Sequence, residues 1–358
     1  MQFDVAIAGG GPSASAAAIT LAAAGLTCAI LERGDDRGDK PGESLAPNAR
    51  PLLHRLGVWD ALAADGHLPC HGNRSVWGSA GVAEMPFVFS PYGHGWHVDR
   101  RKFERLLAAR GESLGVRRFT NTPVTQVERV GAHWNLGLLT ARFLIDATGR
   151  ASSIARRLGA QRIQHDALIA SVAFPVGTVD SFTMIEAARR GWWYTAAIPG
   201  GRVAAMFVTD RAPRESWSEL LEDAPHTRGR IRTIPATAEI VDAGSSRLDR
   251  VAGDRWLAIG DAAAALDPLS SHGITAALDT GVRAGEAIAT GAIDDYARSV
   301  DILWNAYTAA RRDLYAAEGR WPEEPFWRRR RDGDLRRDRA EAGTLSGAPS
   351  GVRNATPF

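Results

Sequence analysis

A chain of 358 residues is long enough to bury a large core, as one large domain or two intermeshed ones. Its 43 basic and 41 acidic side chains leave a formal charge of +2, too even to make nucleic acid the expected partner, and with Lys40 and Lys102 its only lysines the positive charge is nearly all arginine. No apolar run is long enough to span a membrane, no internal repeat is visible, and Cys28 and Cys70 give no disulfide framework, so the expectation is a soluble cytoplasmic protein without a membrane partner.

The stretch Phe3 to Arg33 reads as one βαβ unit. An apolar run, Phe3 to Ala8, suits a buried parallel strand. Gly9 takes the tight turn, Gly11 lets a pyrophosphate approach the backbone, and Ala14 stands in for the third glycine of the fingerprint. Pro12 and Ser13 open an alanine-rich helix that runs to Ala24 and stops at Gly25, with its first amides aimed at an anion over the glycines. The second strand, Thr27 to Leu31, ends in Glu32, with Arg33 beside it. A carboxylate there accepts hydrogen bonds from the ribose hydroxyls and repels a 2′-phosphate, which disfavours NADP in this site. This unit alone leaves FAD and NAD both open.

A polar loop then leads to Pro41-Gly42-Glu43-Ser44, where a sharp bend places Glu43 and Ser44 beside the nucleotide loop, within reach of a flavin ring or as an ordinary helix-capping turn. Helix-like sequence runs from Asn48 to Leu56. Between Leu68 and Ser79, His71, Asn73 and Arg74 form the polar face of a strand that lines a substrate pocket or faces solvent. At His97 to Ala108 an amphipathic helix begins with Arg100, a cation that the helix dipole does not favour, so an anionic partner is expected near it.

Strand Arg142 to Ile145 delivers Asp146-Ala147-Thr148-Gly149-Arg150, a second turn of small residues at the end of a strand, where open α/β sheets bind ligands. From Ala167 to Ile240 apolar and polar residues alternate, as in antiparallel strands. Trp192, Trp193 and Tyr194 lie within this region and either wall a pocket or fill a core from opposite faces of one strand. Strand Trp256 to Ile259 leads into Gly260-Asp261, then Pro268 to Ser271, His272, Gly273 and Ile274. Asp261 is placed to hold a ribityl or ribose hydroxyl, and the helix start at Gly273 is placed to set amides against a flavin's pyrimidine edge. A helix follows from Asp294 to Tyr315, and the composition beyond Arg331 suits a disordered tail.

The three stretches GGGPSA with Glu32, DATGR, and GDAAAALDP with SSHG resemble, in order and spacing, the three FAD motifs of the FAD-dependent monooxygenases of the aromatic-hydroxylase type. PGES, CHGNRSVWGS, GWWYTAAIP and the segment from Glu318 to Arg331 resemble a narrower branch near the tryptophan halogenases and the flavoproteins that mature tryptophylquinone cofactors. The resemblance implies an α/β chain: a Rossmann-like FAD-binding domain with an inserted antiparallel β-sheet substrate domain and a C-terminal helical segment. The corresponding division is 1–79, 97–166 and 241–293 for the FAD-binding domain, 80–96 and 167–240 for the substrate domain, 294–331 for the helical segment and 332–358 for the tail.

By the same resemblance the expected reaction is hydroxylation of an electron-rich aromatic ring, an indole or tryptophan, free or within a peptide or protein, through a flavin C4a-hydroperoxide. NAD(P)H or a separate flavin reductase supplies the electrons, and no metal is implied. His272 stands where the family pattern has glycine or glutamine and is the candidate proton donor or peroxide contact. His71, Asn73, Arg74 and Trp192 to Tyr194 are the candidate substrate wall. Two departures disfavour halogenation: no lysine lies between Lys40 and Lys102, and Tyr194, Ala196, Ile198 and Pro199 replace the halogenase Trp-x-Trp-x-Ile-Pro signature. The rival readings are a reductase of prenyl double bonds and a flavin-stabilised maturation factor that binds a partner without turnover.

Overall fold

The computed structural model describes residues 1–34, 38–178 and 180–331. The tail expected from Asp332 onward lies outside the described residues. The first strand, Gln2–Ala8, is central to a parallel sheet, and its apolar C-terminal half is buried, as a strand covered on both faces requires. It pairs with Cys28–Leu31 on one side and Thr140–Asp146 on the other. Arg117–Phe119 and Trp256–Ala258 extend the sheet outward, also in parallel. The strands ending at Ala8, Asp146 and Ala258 therefore lie side by side and point the same way. The three glycine-containing turns that follow them meet at one edge, the position where such sheets bind ligands.

Helix Pro12–Ala23 packs against helix Gly273–Thr290 through small residues. A methyl group built on Gly281 would lie 2.3 Å from the Ser13 carbonyl oxygen, and one on Gly285 would lie 2.7 Å from Thr20 Cβ. Backbone therefore meets backbone, and the two helices hold their N-terminal ends at the same sheet edge.

The second large sheet runs in the order Glu239–Asp242, Ile169–Ala173, Arg202–Thr209, Gly191–Ile198, Phe182–Ala188, Gly72–Val76, Ala83–Pro86. All its pairings are antiparallel except that of Gly72–Val76 with Phe182–Ala188. The structure thus places Gly72–Val76, grouped with the nucleotide-binding part on sequence grounds, beside the inserted strands. Its half-exposed polar residues suit a place one strand from the sheet's edge. Ser44–Leu45, Gly95–His97 and Leu68–Cys70 form a separate small sheet. Both cysteines are buried and unbridged, Cys70 at the end of a short strand. The long helix Ile293–Ala316 is followed by a short last helix at 325–331, and no helix among the described residues is long and apolar enough to cross a membrane.

Strand Gly191–Ile198 is buried along its whole length. Trp192 and Tyr194 face a cluster completed by Tyr315, Phe326 and Trp327. Trp193 faces the other way, into Phe207, Trp217 and Leu220. The two-residue period of the strand separates the adjacent tryptophans.

Gly281→Ala forces the helices apart at their tightest point and is expected to destabilise the fold by about 1–3 kcal/mol, read as a lower urea midpoint. Gly319→Ala adds its methyl to open space and leaves the midpoint in place. Equal midpoints for the two variants would contradict the close approach.

Candidate functional site

A cavity of about 750 Å³ lies where the three turns meet. Helix Pro12–Ala23 and helix Gly273–Thr290 both begin at it without a side-chain cap and without an acid in the first turn. Their free N–H groups and dipoles make two anion-binding positions in one cavity. Gly9 takes φ +106°, and a Cβ there would meet the Ala147 carbonyl oxygen at 2.1 Å, so only glycine lets the first two turns pack together. At one end Glu32 accepts the Gly10 and Gly34 N–H groups, with Arg33 adjoining. Farther along, the Asp261 carboxylate is 43% exposed, with the Arg150 guanidinium 3.6 Å away.

Arg100 also lines the cavity. It donates to the Gly42 carbonyl at 3.1 Å and to Glu104 at 3.0 Å, and Lys40 meets the same carboxylate at 2.7 Å. The anionic partner expected for Arg100 is Glu104, one turn along its own helix.

Behind the bend at Gly42 lies a buried polar cluster. The Tyr194 and Ser44 hydroxyls are 2.7 Å apart, Ser44 approaches Thr183 at 3.3 Å, and Thr183 meets His97 Nε2 at 3.0 Å. Glu43, only 2% exposed, accepts the Gly42 N–H at 3.1 Å. Burial pushes the Glu43 carboxyl up from its ordinary value, and the Tyr194 hydroxyl beside it opposes the rise. Burial also holds the Tyr194 phenol neutral and pushes the His97 imidazole down to about 4. Tyr194 and His97 are therefore neutral and the Glu43 carboxyl is biased toward its protonated form, which suits a site that must accept negative charge.

A second cavity, of about 520 Å³, lies on the far side of the loop from Leu266 to Gly273. Its walls are mainly apolar: Leu52, Leu269, Leu303, Ala306, Ala310 and Leu314. Ser271 takes the left-handed φ of +50° and turns the chain there. Pro268, Ser271, Gly273 and Ile274 line the first cavity, whereas Ser270, His272 and Thr275 line the second. His272 Nδ1 pairs with the Ser270 carbonyl. A carbonyl only accepts, so Nδ1 carries the hydrogen and Nε2 of the neutral ring is an acceptor.

Asp267 anchors this loop. It is fully buried and accepts from the Leu269 N–H at 2.8 Å, the Tyr315 hydroxyl at 2.7 Å and Arg311 at 3.3 Å. Burial pushes its carboxyl up and the Arg311 charge pulls it back. The Tyr307 hydroxyl accepts the Asp267 N–H at 2.8 Å.

Of the expected cofactor residues, Gly9, Gly11, Pro12, Ser13, Glu32, Arg33, Glu43, Ser44, Arg100, Gly149, Asp261, Pro268, Ser271, Gly273 and Ile274 line the first cavity. Ala14, Asp146 and Gly260 do not. Ala14 is buried in its helix. Asp146 points inward, accepting the Thr148, Ile154 and Ala155 N–H groups, and so shapes the turn from behind. Gly260 packs on Ser13, where a Cβ would lie 2.7 Å from the hydroxyl.

Among the expected substrate residues Tyr194 alone lines either of these two cavities, the first. Trp192 and Trp193 are core residues, for the reason of strand period given above. His71 stacks edge-on with His94, and Arg74 pairs with Glu84 at 2.8 Å over the Phe182 ring, with Asn73 between them in the half-exposed strand.

The sequence reading missed the apolar wall made by Ala170, Val172 and Met206, which alternate along strands that could have faced either way. It also missed the group around Asp267. Tyr307, Arg311 and Tyr315 lie four residues apart on helix Ile293–Ala316, a spacing that puts polar groups on a single helix face and is the signal in hindsight.

Comparison with known proteins agrees with this geometry. The sequence matches the FAD binding domain family over residues 2–317. It is 26% identical to LodB of Marinomonas mediterranea, named as an FAD-dependent oxidoreductase, over 92% of this chain and 97% of that one. It is also 26% identical to a 1H-pyrrole-2-carbonyl-[peptidyl-carrier protein] chlorinase of Pseudomonas fluorescens, over 83% of this chain and 78% of that one. The solved structure of QhpG, a peptidyl tryptophan dihydroxylase essential for tryptophylquinone cofactor biogenesis, has a TM-score of 0.74 at 22% identity, covering 92% of this chain and 79% of that one, a likeness of fold. With the family matched over most of its length, and two uncapped helix ends, Glu32 and Asp261 gathered at one cavity, the chain belongs to the FAD-binding domain family of FAD-dependent oxidoreductases.

Proposed function

We propose that the chain is an FAD-dependent monooxygenase that hydroxylates an electron-rich aromatic ring, the indole of a tryptophan, free or carried by a peptide or protein. The observation that carries this reading is the partition at Leu266 to Gly273. One side is fitted for a dinucleotide, and the other is an apolar cavity bordered by a single histidine whose Nε2 has no partner among the described residues.

The residues of the first cavity fit FAD. The helix at Pro12 would hold the pyrophosphate, Glu32 the adenosine ribose and Asp261 the ribityl chain, and the amides at Gly273 would face the ring. Bound there, the cofactor supplies the electrons and the activation of oxygen. The protein's part is positioning and proton handling. Tyr194, held neutral, and Glu43, its carboxyl raised by burial, limit the negative charge beside the place where the cofactor would gather it on reduction. The apolar second cavity holds a flat ring and keeps water from it. The net change replaces a ring hydrogen by hydroxyl, and the other atom of molecular oxygen leaves as water. His272 Nε2 accepts the ring proton that is released.

The lysines support hydroxylation over halogenation. Lys40 is paired with Glu104 at 2.7 Å and Lys102 donates to the Asp65 carbonyl at 3.1 Å, and neither lines the second cavity. QhpG, named for a peptidyl tryptophan substrate, supports a ring presented within a polypeptide.

Reduced, FAD-loaded protein exposed to isotopically labelled oxygen with a tryptophan-bearing peptide is expected to yield a product heavier by a labelled oxygen atom. His272→Ala is expected to lower that yield by roughly a hundredfold, within the usual contribution of a general base, with FAD affinity retained. Flavin reoxidation with no label in indole, tryptophan or peptide, together with reduction of a prenyl double bond, would favour the reductase reading.

Glu43 gives a test by pH. Its carboxyl is raised above the ordinary 4.5, so the folded chain keeps a proton that the unfolded chain has lost. Its contribution to stability is complete below pH 4.5 and fades as pH rises through the folded value. Urea midpoints should therefore fall across that window in the wild type and fall less in Glu43→Gln. Parallel curves for the two proteins would contradict a buried, proton-holding Glu43.

A further inference from the structure

Neither cavity uses the row of aromatic rings that begins at Asp267. Tyr315, fully buried, donates its phenol to the Asp267 carboxylate at 2.7 Å. Asp267 is flanked in the chain by Leu266 and Pro268, which line the first cavity. From Tyr315 the ring centres continue at 5.9 Å to Trp77, 5.3 Å to Trp327 and 5.9 Å to Trp321. Trp321 is partly exposed, with the Arg320 guanidinium 4.3 Å from its ring centre. One end of the row is thus tied to the cofactor loop and the other reaches the surface.

Core packing accounts for clustered aromatics, but it does not call for a buried phenol hydrogen-bonded to a buried carboxylate. Apolar residues of similar volume would fill the same space at no greater cost. The pair has one chemical capacity that such residues lack. A tyrosine ring gives up an electron far more easily when its proton has an acceptor in place, and Asp267 is that acceptor. Arg311 and Arg330 lie 4.9 and 5.2 Å from the ring centre, but Arg311 is paired with Asp166 and Asp267, and Arg330 with Asp210. Their charges are balanced, so they do not bar loss of an electron from the ring.

We propose that Tyr315, Trp77, Trp327 and Trp321 form a one-electron path that discharges an oxidant from the flavin cavity to the protein surface. The path rests on the reading of that cavity as an FAD site where oxygen is reduced. Superoxide formed while no ring occupies the second cavity is reduced by one electron from Tyr315 and leaves as hydrogen peroxide with two protons from solvent, while the phenol proton crosses to Asp267. Trp77 then supplies an electron to the phenoxyl, which recovers its proton from Asp267. The vacancy passes to Trp327 and on to Trp321, where a soluble reductant of the thiol or ascorbate class fills it. Electrons and protons balance, and the residues lining the cavity are spared oxidation.

Laser excitation of FAD-loaded full-length protein tests the path, because the excited flavin is itself the oxidant and no oxygenation is needed. The wild type is expected to show a tryptophan-radical absorption whose decay is hastened by ascorbate. In Tyr315→Phe the tryptophan signal is lost. Tyr315 and Trp327 also meet directly, with 6.2 Å between ring centres, so Trp77→Phe slows the decay of the tyrosyl signal, the double variant Trp77→Phe/Trp327→Phe leaves a tyrosyl signal that ascorbate does not shorten, and Trp321→Phe keeps a tryptophan signal but loses the ascorbate effect. Thermal midpoints and FAD content show which variants fold. A second arm needs no variant: reduced wild-type protein is exposed to oxygen without aromatic substrate, and its oxidised residues are mapped by peptide mass spectrometry. Oxidation is expected at Trp321 and Trp327. No tryptophan radical in the wild type, an undiminished one in folded Tyr315→Phe, or oxidation confined to residues of the first cavity would each overturn the proposal. Radical transfer without peptide hydroxylation would leave the path standing and remove the hydroxylase reading.

Discussion

The site depends on how closely two helices approach. Gly281 and Gly285 let helix Gly273–Thr290 rest on the backbone of helix Pro12–Ala23, and that contact fixes the separation of their uncapped ends. A dinucleotide with charge at its pyrophosphate and developing charge at its ring needs both ends at set places along one cavity. Because the contact is backbone on backbone, no side-chain rotamer can absorb a change in it, and the cavity inherits the rigidity of the sheet beneath. The turns that complete the site are held as closely, Gly9 against the Ala147 backbone and Gly260 against the Ser13 side chain.

Much of this was legible in the sequence, for identifiable reasons. The strands and helices of the nucleotide-binding part announce themselves through glycines at fixed offsets from apolar runs, and residues such as Gly11, Glu32 and Asp261 fall where that grammar places them. Residues acting from behind the cavity were harder to sort. Asp146 sits in a recognisable motif yet satisfies three backbone amides rather than facing the cavity, because a strand end and a following turn leave N–H groups that need an acceptor. The inserted sheet was legible as strands but not by face. An alternating pattern says which residues share a face, not what that face meets, so Tyr194 could be grouped with Trp193 although the two point into different surroundings. The pairing of Gly72–Val76 with Phe182–Ala188 spans over a hundred residues and leaves no local trace.

Asp267 shows how a buried charge can organise a fold beyond its own energy. Alone, the pair with Arg311 is a poor source of stability, because desolvating both ions offsets their attraction. Its value here is in orientation. The carboxylate fixes the start of the loop, draws in Arg311 and Tyr315 from the C-terminal helix, and so sets the wall between the two cavities. The same helix lends Tyr307 to the loop's backbone, so loop and helix hold each other in register. That wall is thin, with neighbouring residues facing opposite sides.

The central sheet draws its parallel strands from widely separated parts of the chain: Gln2–Ala8 pairs with Thr140–Asp146, which pairs with Trp256–Ala258. The inserted sheet, by contrast, builds Phe182–Ala188, Gly191–Ile198 and Arg202–Thr209 from consecutive hairpins. Local pairings close fast and distant ones slowly. On a ribosome the meander can therefore form while strand Thr140–Asp146 still waits for Trp256–Ala258, not yet synthesised. The cofactor cavity, made of turns from all three parallel strands and a helix that begins at Gly273, is finished last. A dinucleotide that recognises only the finished cavity pulls the late equilibrium toward it. The cell's supply of cofactor thus helps set how much of the newly made chain reaches its native form.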